Sequence, residues 1–219
     1  MMIKALAGLL FHSLVWGQTP VISSLWDGVQ ADLQKERYEQ ARQKIGDILV
    51  ECGVLNPDDS PECFARAKFA LADTYYKEYG RGKIQPIREM AGYHFREFQA
   101  AYPFHPQAAE AQFKIGMLCY RNILSPYRDT EFAERAQEEF SILLRNYPQG
   151  PFAEDAKKLI AKVREVLAEH ELYVAQFYFQ KKSFQAAASR LEELARDYPD
   201  FPKLQVVLNL LEKARKRAP

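Results

Sequence analysis

The densest group of chemically capable residues is Glu169-His170-Glu171, two carboxylates around an imidazole. Acid–base or metal chemistry is the sharp reading of such a run. Zinc held on a helix wants two histidines four residues apart, and a single one stands here. His12, His94 and His105 show no metal-ligand spacing either. The simpler role is to pin neighbouring turns of the chain through charge and hydrogen bonds. Ser125, Ser141 and Ser189 have no nucleophile elbow and no evident histidine–acid pair. The chain has 10 glycines and no G-x-G-x-x-G or G-x-x-x-x-G-K run, so it lacks the loops that cradle phosphates. The expectation is a protein with no catalytic residue, no cofactor and no metal.

A second kind of chemistry is binding. Tyr75 and Cys119 fall at equivalent, core-facing positions of two helices of the same type. Tyr76 and Tyr120 come one residue later, about 100° further round each helix. With Arg121, Tyr127 and Arg128 they form a candidate peptide-binding set. Tyrosine and arginine dominate binding hot spots. An extended aromatic-rich peptide ending in a carboxylate would find rings and matched donors there. Packing between repeats is the competing role for each ring. The basic run Lys213-Ala-Arg-Lys-Arg217 has two readings as well, acidic lipid headgroups or a helix C-terminus whose dipole favours cations.

The elements that must position these residues come from an internal repeat. Tyr-Pro-x-x-Pro occurs at Tyr102–Pro106, Tyr147–Pro151 and Tyr198–Pro202. The first proline ends a helix and pushes the preceding tyrosine out of it; the second suits the opening of the next helix. A small–large–large triplet precedes each motif at fixed offsets: Ala91/Phe95/Phe98, Ala136/Phe140/Leu143 and Ala187/Leu191/Leu194. Ala41/Ile45/Ile48 is a fourth copy, with Gly53 at the stop. Spacings of four and three put each triplet on one helical face. Leu71-Ala72 with Tyr75, Ile115-Gly116 with Cys119, and Val174-Ala175 with Tyr178 mark the partner helices, whose small residues permit close approach.

The pattern predicts an all-α fold, a superhelical array of about four helix pairs with a C-terminal capping helix. The pairs fall at about 24–53, 64–103, 106–148 and 152–199, and the cap at 203–217. Pairs two and three are long for such a unit, and the excess is expected between their helices, at Gly80–Pro86 and Asn122–Asp129. No breaker interrupts Phe152 to about Gln180, which predicts one helix of up to 29 residues.

Length, charge and cysteines bound the rest. The chain has 219 residues and a net charge of +1. That balance argues against a nucleic-acid binder, which needs a basic surplus. Met1–Gly17 reads as a secretory signal peptide and 18–23 as a linker: one early lysine, an apolar stretch from Ala5 to Trp16, and a cut before Gln18. That stretch is shorter than the ~20 residues a membrane span needs. Gln18 stands where a bacterial lipoprotein would carry cysteine. Cys52 and Cys63 bracket a loop-like stretch and can close it as a disulfide in an oxidising compartment; otherwise they are two thiols. Cys119 reads as a small buried hydrophobe.

The helix-pair spacing resembles the tetratricopeptide (TPR) repeat. Longer runs narrow the likeness. Glu169-His-Glu-Leu-Tyr-Val174, then Phe184-Gln-Ala-Ala187, Arg190-Leu-Glu192 and Tyr198-Pro-Asp200, with Ser125-Pro-Tyr-Arg-Asp129 upstream, resemble the BamD-like (YfiO-like) family of outer-membrane assembly lipoproteins. The likeness covers most of residues 25–205. It implies a periplasmic TPR scaffold at the inner face of the outer membrane, peripheral to it and without nucleic acid. Its implied partners are the POTRA domains of a β-barrel insertase and unfolded outer-membrane protein segments. It also implies that Arg190, with Glu192, lies at the junction with a POTRA domain. An intrahelical pair of Arg190 with Glu193 or another near neighbour is the competing role. The sequence departs from the family in lacking the lipobox cysteine and in carrying half of a fifth repeat. Other periplasmic TPR adaptors, tied to envelope division or peptidoglycan synthesis, and a free periplasmic chaperone remain open.

Export is testable directly. N-terminal sequencing of the mature protein is expected to begin at or near Gln18; a start at Met1, or incorporation of labelled palmitate, would contradict it.

Overall fold

The computed structural model describes residues 19–55 and 59–218, so the signal-peptide reading lies outside the described residues. Within them the chain forms nine helices and no strand. They are α1 (Pro20–Gln34), α2 (Tyr38–Cys52), α3 (Ser60–Gly82), α4 (Gln85–Ala101), α5 (Ala108–Tyr120), α6 (Glu131–Asn146), α7 (Ala153–Gln180), α8 (Phe184–Asp197) and α9 (Leu204–Arg217). α1 packs on α2, α2 on α3 and α3 on α4, and α6 packs on α7, α7 on α8 and α8 on α9, in line with TPR-like pairing. The chain divides into two compact units, one ending at Ala111 and one starting at Gln112.

The four triplets are buried in the core. Ala41, Ile45 and Ile48, Ala91, Phe95 and Phe98, Ala136, Phe140 and Leu143, and Ala187 and Leu191 are all at 0% exposure, and Leu194 is at 1%. Each alanine admits a neighbouring backbone, and the two larger residues above it fill the space left. In the first unit Ile22 and Val29 of α1 pack on the α2 triplet, and Ala67 of α3 joins them. Phe69 of α3 meets Phe95 and Phe98 of α4 edge-on, at 5.7 and 5.3 Å. In the second unit Phe140 of α6 packs with Cys119, Val163 and Leu167, while Leu191 and Leu194 of α8 pack with Leu172, Val207 and Leu211.

The Tyr-Pro-x-x-Pro motif builds nearly the same hinge three times. Tyr102, Tyr147 and Tyr198 leave their helices at φ −134°, −134° and −129° with ψ 59°, 57° and 61°. The N–H of each tyrosine still donates to the carbonyl of the last triplet residue, Phe98, Leu143 or Leu194. Two turns follow. In the first, His105, Gly150 and Phe201 donate to the tyrosine carbonyls; in the second, Ala108, Ala153 and Leu204 donate to the carbonyls of His105, Gly150 and Phe201. Each proline therefore sits at the second position of a turn, where its fixed φ is favoured. Pro106, Pro151 and Pro202 stand just before the next helix rather than inside its first turn.

The connection expected at Gly80–Pro86 is shorter than the sequence suggests. α3 continues through Gly80 to Gly82, because Tyr79, 1% exposed, anchors its last turns in the core. The helix stops at Lys83, whose φ of 51° is left-handed. The loop at 121–130 does lie between its two helices. α7 spans 28 residues, close to the uninterrupted helix expected. Glu36 and Lys182 close the α1–α2 and α7–α8 turns at φ 57° and 60°, where glycine would be at ease.

Polar groups secure the first unit. Asp32 is 2% exposed and accepts from Lys44 of α2 and from Arg37 of the intervening turn. The Lys44 hydrogen bond first, and the two cations around it, hold its carboxyl below the usual range despite burial. Cys52 and Cys63 are joined as a disulfide with Cα atoms 5.6 Å apart, which ties the end of α2 to the start of α3. Cys119 is buried.

Gly116 tests the packing rule. A Cβ placed there would stand 2.5 Å from Cε1 and 2.7 Å from Cδ1 of Phe140. That ring is enclosed and has no free direction to move. Gly116→Ala is expected to destabilise the protein by about 1–3 kcal/mol, the range for overpacking a filled core, despite the better helix propensity of alanine. Urea unfolding of the two proteins measures it.

Candidate partner-binding surface

In the second unit α7 carries a row of polar residues that reach to three other segments. Glu169 pairs with Lys203, at the start of α9. His170 donates from Nδ1 to the carbonyl of Pro126, at 2.7 Å, which fastens the 121–130 loop to α7. Glu171 accepts from Arg190 Nη1 of α8 at 2.9 Å. The Glu-His-Glu run thus works as three tethers, and its residues diverge instead of facing one centre. Among the described residues no group of three potential metal ligands occurs.

Arg190 is partly exposed. Its side chain is 40% exposed and that of Glu171 is 34% exposed, so the pair lies at the surface. The Arg190 guanidinium also sits 5.9 Å from the Tyr178 ring centre. Its ion partner is on the adjacent helix, so the intrahelical pairing with Glu193 considered from sequence is not the one formed. Glu192 is engaged elsewhere: Arg215 of α9 donates to its Oε1 through Nε at 3.1 Å and Nη2 at 2.8 Å. The two residues of the Arg-Leu-Glu run therefore bind opposite neighbours, α7 and α9.

The peptide-binding set is divided by the fold. Tyr76 belongs to the first unit, half-buried, with its ring 6.1 Å from Phe95. Tyr120, Arg121, Tyr127 and Arg128 belong to the second. Tyr120 is half-buried against Phe140, at 6.5 Å, while Arg121 and Arg128 are exposed. Tyr127 is 58% exposed and meets Tyr173 of α7 edge-on at 5.1 Å. Tyr75, expected in the core, is half-buried and stacks on His94 at 5.3 Å with Arg42 over its ring; Tyr79 takes the core position instead.

Sequence reasoning missed Arg164. Its Nη2 donates to the carbonyl of Asp197 and to Asp200 Oδ1, both at 2.9 Å, and its guanidinium lies 5.0 Å from the Tyr198 ring centre. The signal lay in the acidic residues flanking Tyr198-Pro199, which need a cation from another helix. A long-range pair of that kind leaves no periodicity. Tyr198 is also part of a cleft of about 350 Å³ between α6 and α7, lined by Glu134, Glu138, His170 and Glu171 among others. Burial, the main cause, raises the Tyr198 hydroxyl pKa, the Arg164 charge opposes it, and the nearby Glu171, Asp197 and Glu134 carboxylates push it further up.

No helix among the described residues is long and apolar enough to cross a membrane. Comparison with known proteins places this arrangement. Residues 21–218 match the YfiO family, described as outer membrane lipoprotein. The chain is 40% identical over 207 residues to an outer membrane protein assembly factor BamD of Vibrio cholerae, covering 90% of this chain and 84% of that one. It is 24% identical over 201 residues to the BamD of Buchnera aphidicola, covering 87% and 77%. A match to the Haemophilus influenzae BamD, 33% identical, is confined to 87 residues, 40% of this chain and 33% of the other. With the family matched across nearly every described residue and the paired helices in place, the chain belongs to the YfiO family of outer membrane lipoproteins, whose relatives carry the name BamD.

Proposed function

We propose that this protein is a non-enzymatic, periplasmic scaffold of outer-membrane β-barrel assembly, held at the inner face of the outer membrane through its partners. It works by protein–protein contact. The second unit docks on POTRA domains of the insertase, and the aromatic and arginine residues Tyr76, Tyr120, Arg121, Tyr127 and Arg128 receive unfolded barrel segments. The observation that carries the docking reading is the state of Arg190. Its guanidinium is held by one surface carboxylate and is 40% exposed. A planar fork presented in that way can take a partner carboxylate bidentately. Shared membership with assembly factors of 40% and 24% identity supports the process in which it acts.

Arg190→Ala tests this with two measurements. Loss of a desolvated interfacial arginine weakens a complex by about 2–5 kcal/mol. Loss of a half-exposed pair with Glu171 lowers stability by only about 0.2–1 kcal/mol. Affinity for a purified POTRA-containing insertase should therefore collapse while the melting temperature hardly moves, and Arg190→Lys should recover only part of the binding. Unchanged affinity would refute the interface, and a large drop in melting temperature would make Arg190 a structural residue.

A further inference from the structure

We infer that the end of the second unit formed by the α7–α8 turn and the last turn of α9 rests on the headgroups of an anionic phospholipid bilayer. The chain as a whole is nearly neutral, at +1, so any cluster of cations comes from uneven placement. No Asp or Glu occurs from Leu172 to Leu191, and none follows Glu212. The fold brings these two acid-free segments together. The Arg217 guanidinium lies 5.3 Å from the Phe179 ring centre and 5.7 Å from that of Phe184, so the end of α9 is seated on the α7–α8 turn. Lys181 and Lys182 form that turn, their N–H groups bonded to the carbonyls of Phe177 and Phe179. Lys213 stands four residues before Arg217, on the same side of α9.

Ion pairing divides the basic run of α9. Arg215 pairs with Glu192 and Lys216 with Glu212. Among the described residues Lys181, Lys182, Lys213 and Arg217 form no ion pair, and all four are exposed. Four such cations at one end of a unit repel one another, and an anionic surface replaces that repulsion with attraction.

Exposed rings lie beside them. Tyr173 and Phe177, 43% and 48% exposed, follow at a spacing of four along α7. Lys181 continues the row, with its ammonium 5.7 Å from the Phe177 ring centre. Rings of this kind enter the boundary between headgroups and acyl chains, while the lysine stem carries its charge out to the phosphates. An acidic protein surface is better met by rigid guanidinium forks in an enclosed groove. Here three of the four cations are lysines on flexible stems, and the depression beside them is open. It holds about 630 Å³ and is lined by Lys182, Ser183, Phe184 and Gln185, among others, with no carboxylate among its described lining. Membership of a family of outer membrane lipoproteins supports a bilayer as the surface met.

The experiment sediments the mature protein, purified from the envelope, with vesicles of phosphatidylcholine and phosphatidylglycerol, or of phosphatidylcholine alone. Binding is expected on the anionic vesicles only, falling as salt is raised. Lys181→Gln/Lys182→Gln and Lys213→Gln/Arg217→Gln each remove two cations. At about 1 kcal/mol per cation, each pair should weaken vesicle binding about 25-fold. All four positions are exposed, so melting followed by circular dichroism should hardly change. Phe177→Trp places a fluorophore on the face itself, and its emission, less that of the parent, should move to the blue when anionic vesicles are added. Equal binding to neutral vesicles would overturn the proposal. So would a double variant that binds like the parent, or an indole emission that stays put while the protein sediments, since another segment would then hold the bilayer. Double variants that keep vesicle binding and lose affinity for the insertase would overturn it in favour of an acidic partner protein.

Discussion

Close approach of consecutive helices is the constraint on which everything else depends. Four alanines, Ala41, Ala91, Ala136 and Ala187, are wholly buried at the same place in four helices. A larger side chain at any of them would hold two backbones apart and empty the space that the following large residues fill. The same rule explains Gly116, which lies so near the Phe140 ring that even a methyl has no room. Burial at these points is favourable because apolar surface leaves water and because the interior is packed near crystal density.

The hinges translate that packing into direction. Each Tyr-Pro-x-x-Pro segment ends one helix while its tyrosine N–H stays bonded to the last buried residue of the triplet. The prolines then sit in two successive turns that lead into the next helix. Three hinges share their backbone angles to within a few degrees. Agreement of this kind comes from rigid φ at proline and from the anchoring of the residue before it.

Charge completes the surface of the second unit. Pairs such as Arg190–Glu171, Arg215–Glu192, Arg164–Asp200 and Lys203–Glu169 each join different helices or a helix to a hinge. Their exposure keeps each worth little to stability. What they provide is arrangement: Glu171, which pairs with Arg190, also lines the cleft between α6 and α7. His170 adds the fastening of the 121–130 loop, so Tyr127 is carried to Tyr173.

Much of the fold was legible in the sequence because its causes are local. Periods of three and four give the helix faces, proline and tyrosine mark the stops, and small residues mark the crossings; the pairing and the long α7 follow from these. The run of α3 through two glycines was not legible, because burial of Tyr79 outweighs the local preference to break. The site was visible only as residue types. Arg190 stands in a readable motif, yet its partner Glu171 is 19 residues away and on another helix. Glu192 is adjacent in sequence but faces Arg215, and Arg164 finds Asp200 across 36 residues. Those pairings depend on where helices of different length and rotation bring long side chains, which is decided by packing of the whole unit. The sequence by itself therefore determines the helices, their stops and their buried faces, since these follow from steric rules over a few residues. Which charges meet, and which cleft they surround, is decided by tertiary structure, because an ion pair depends on distance in space and leaves no period along the chain.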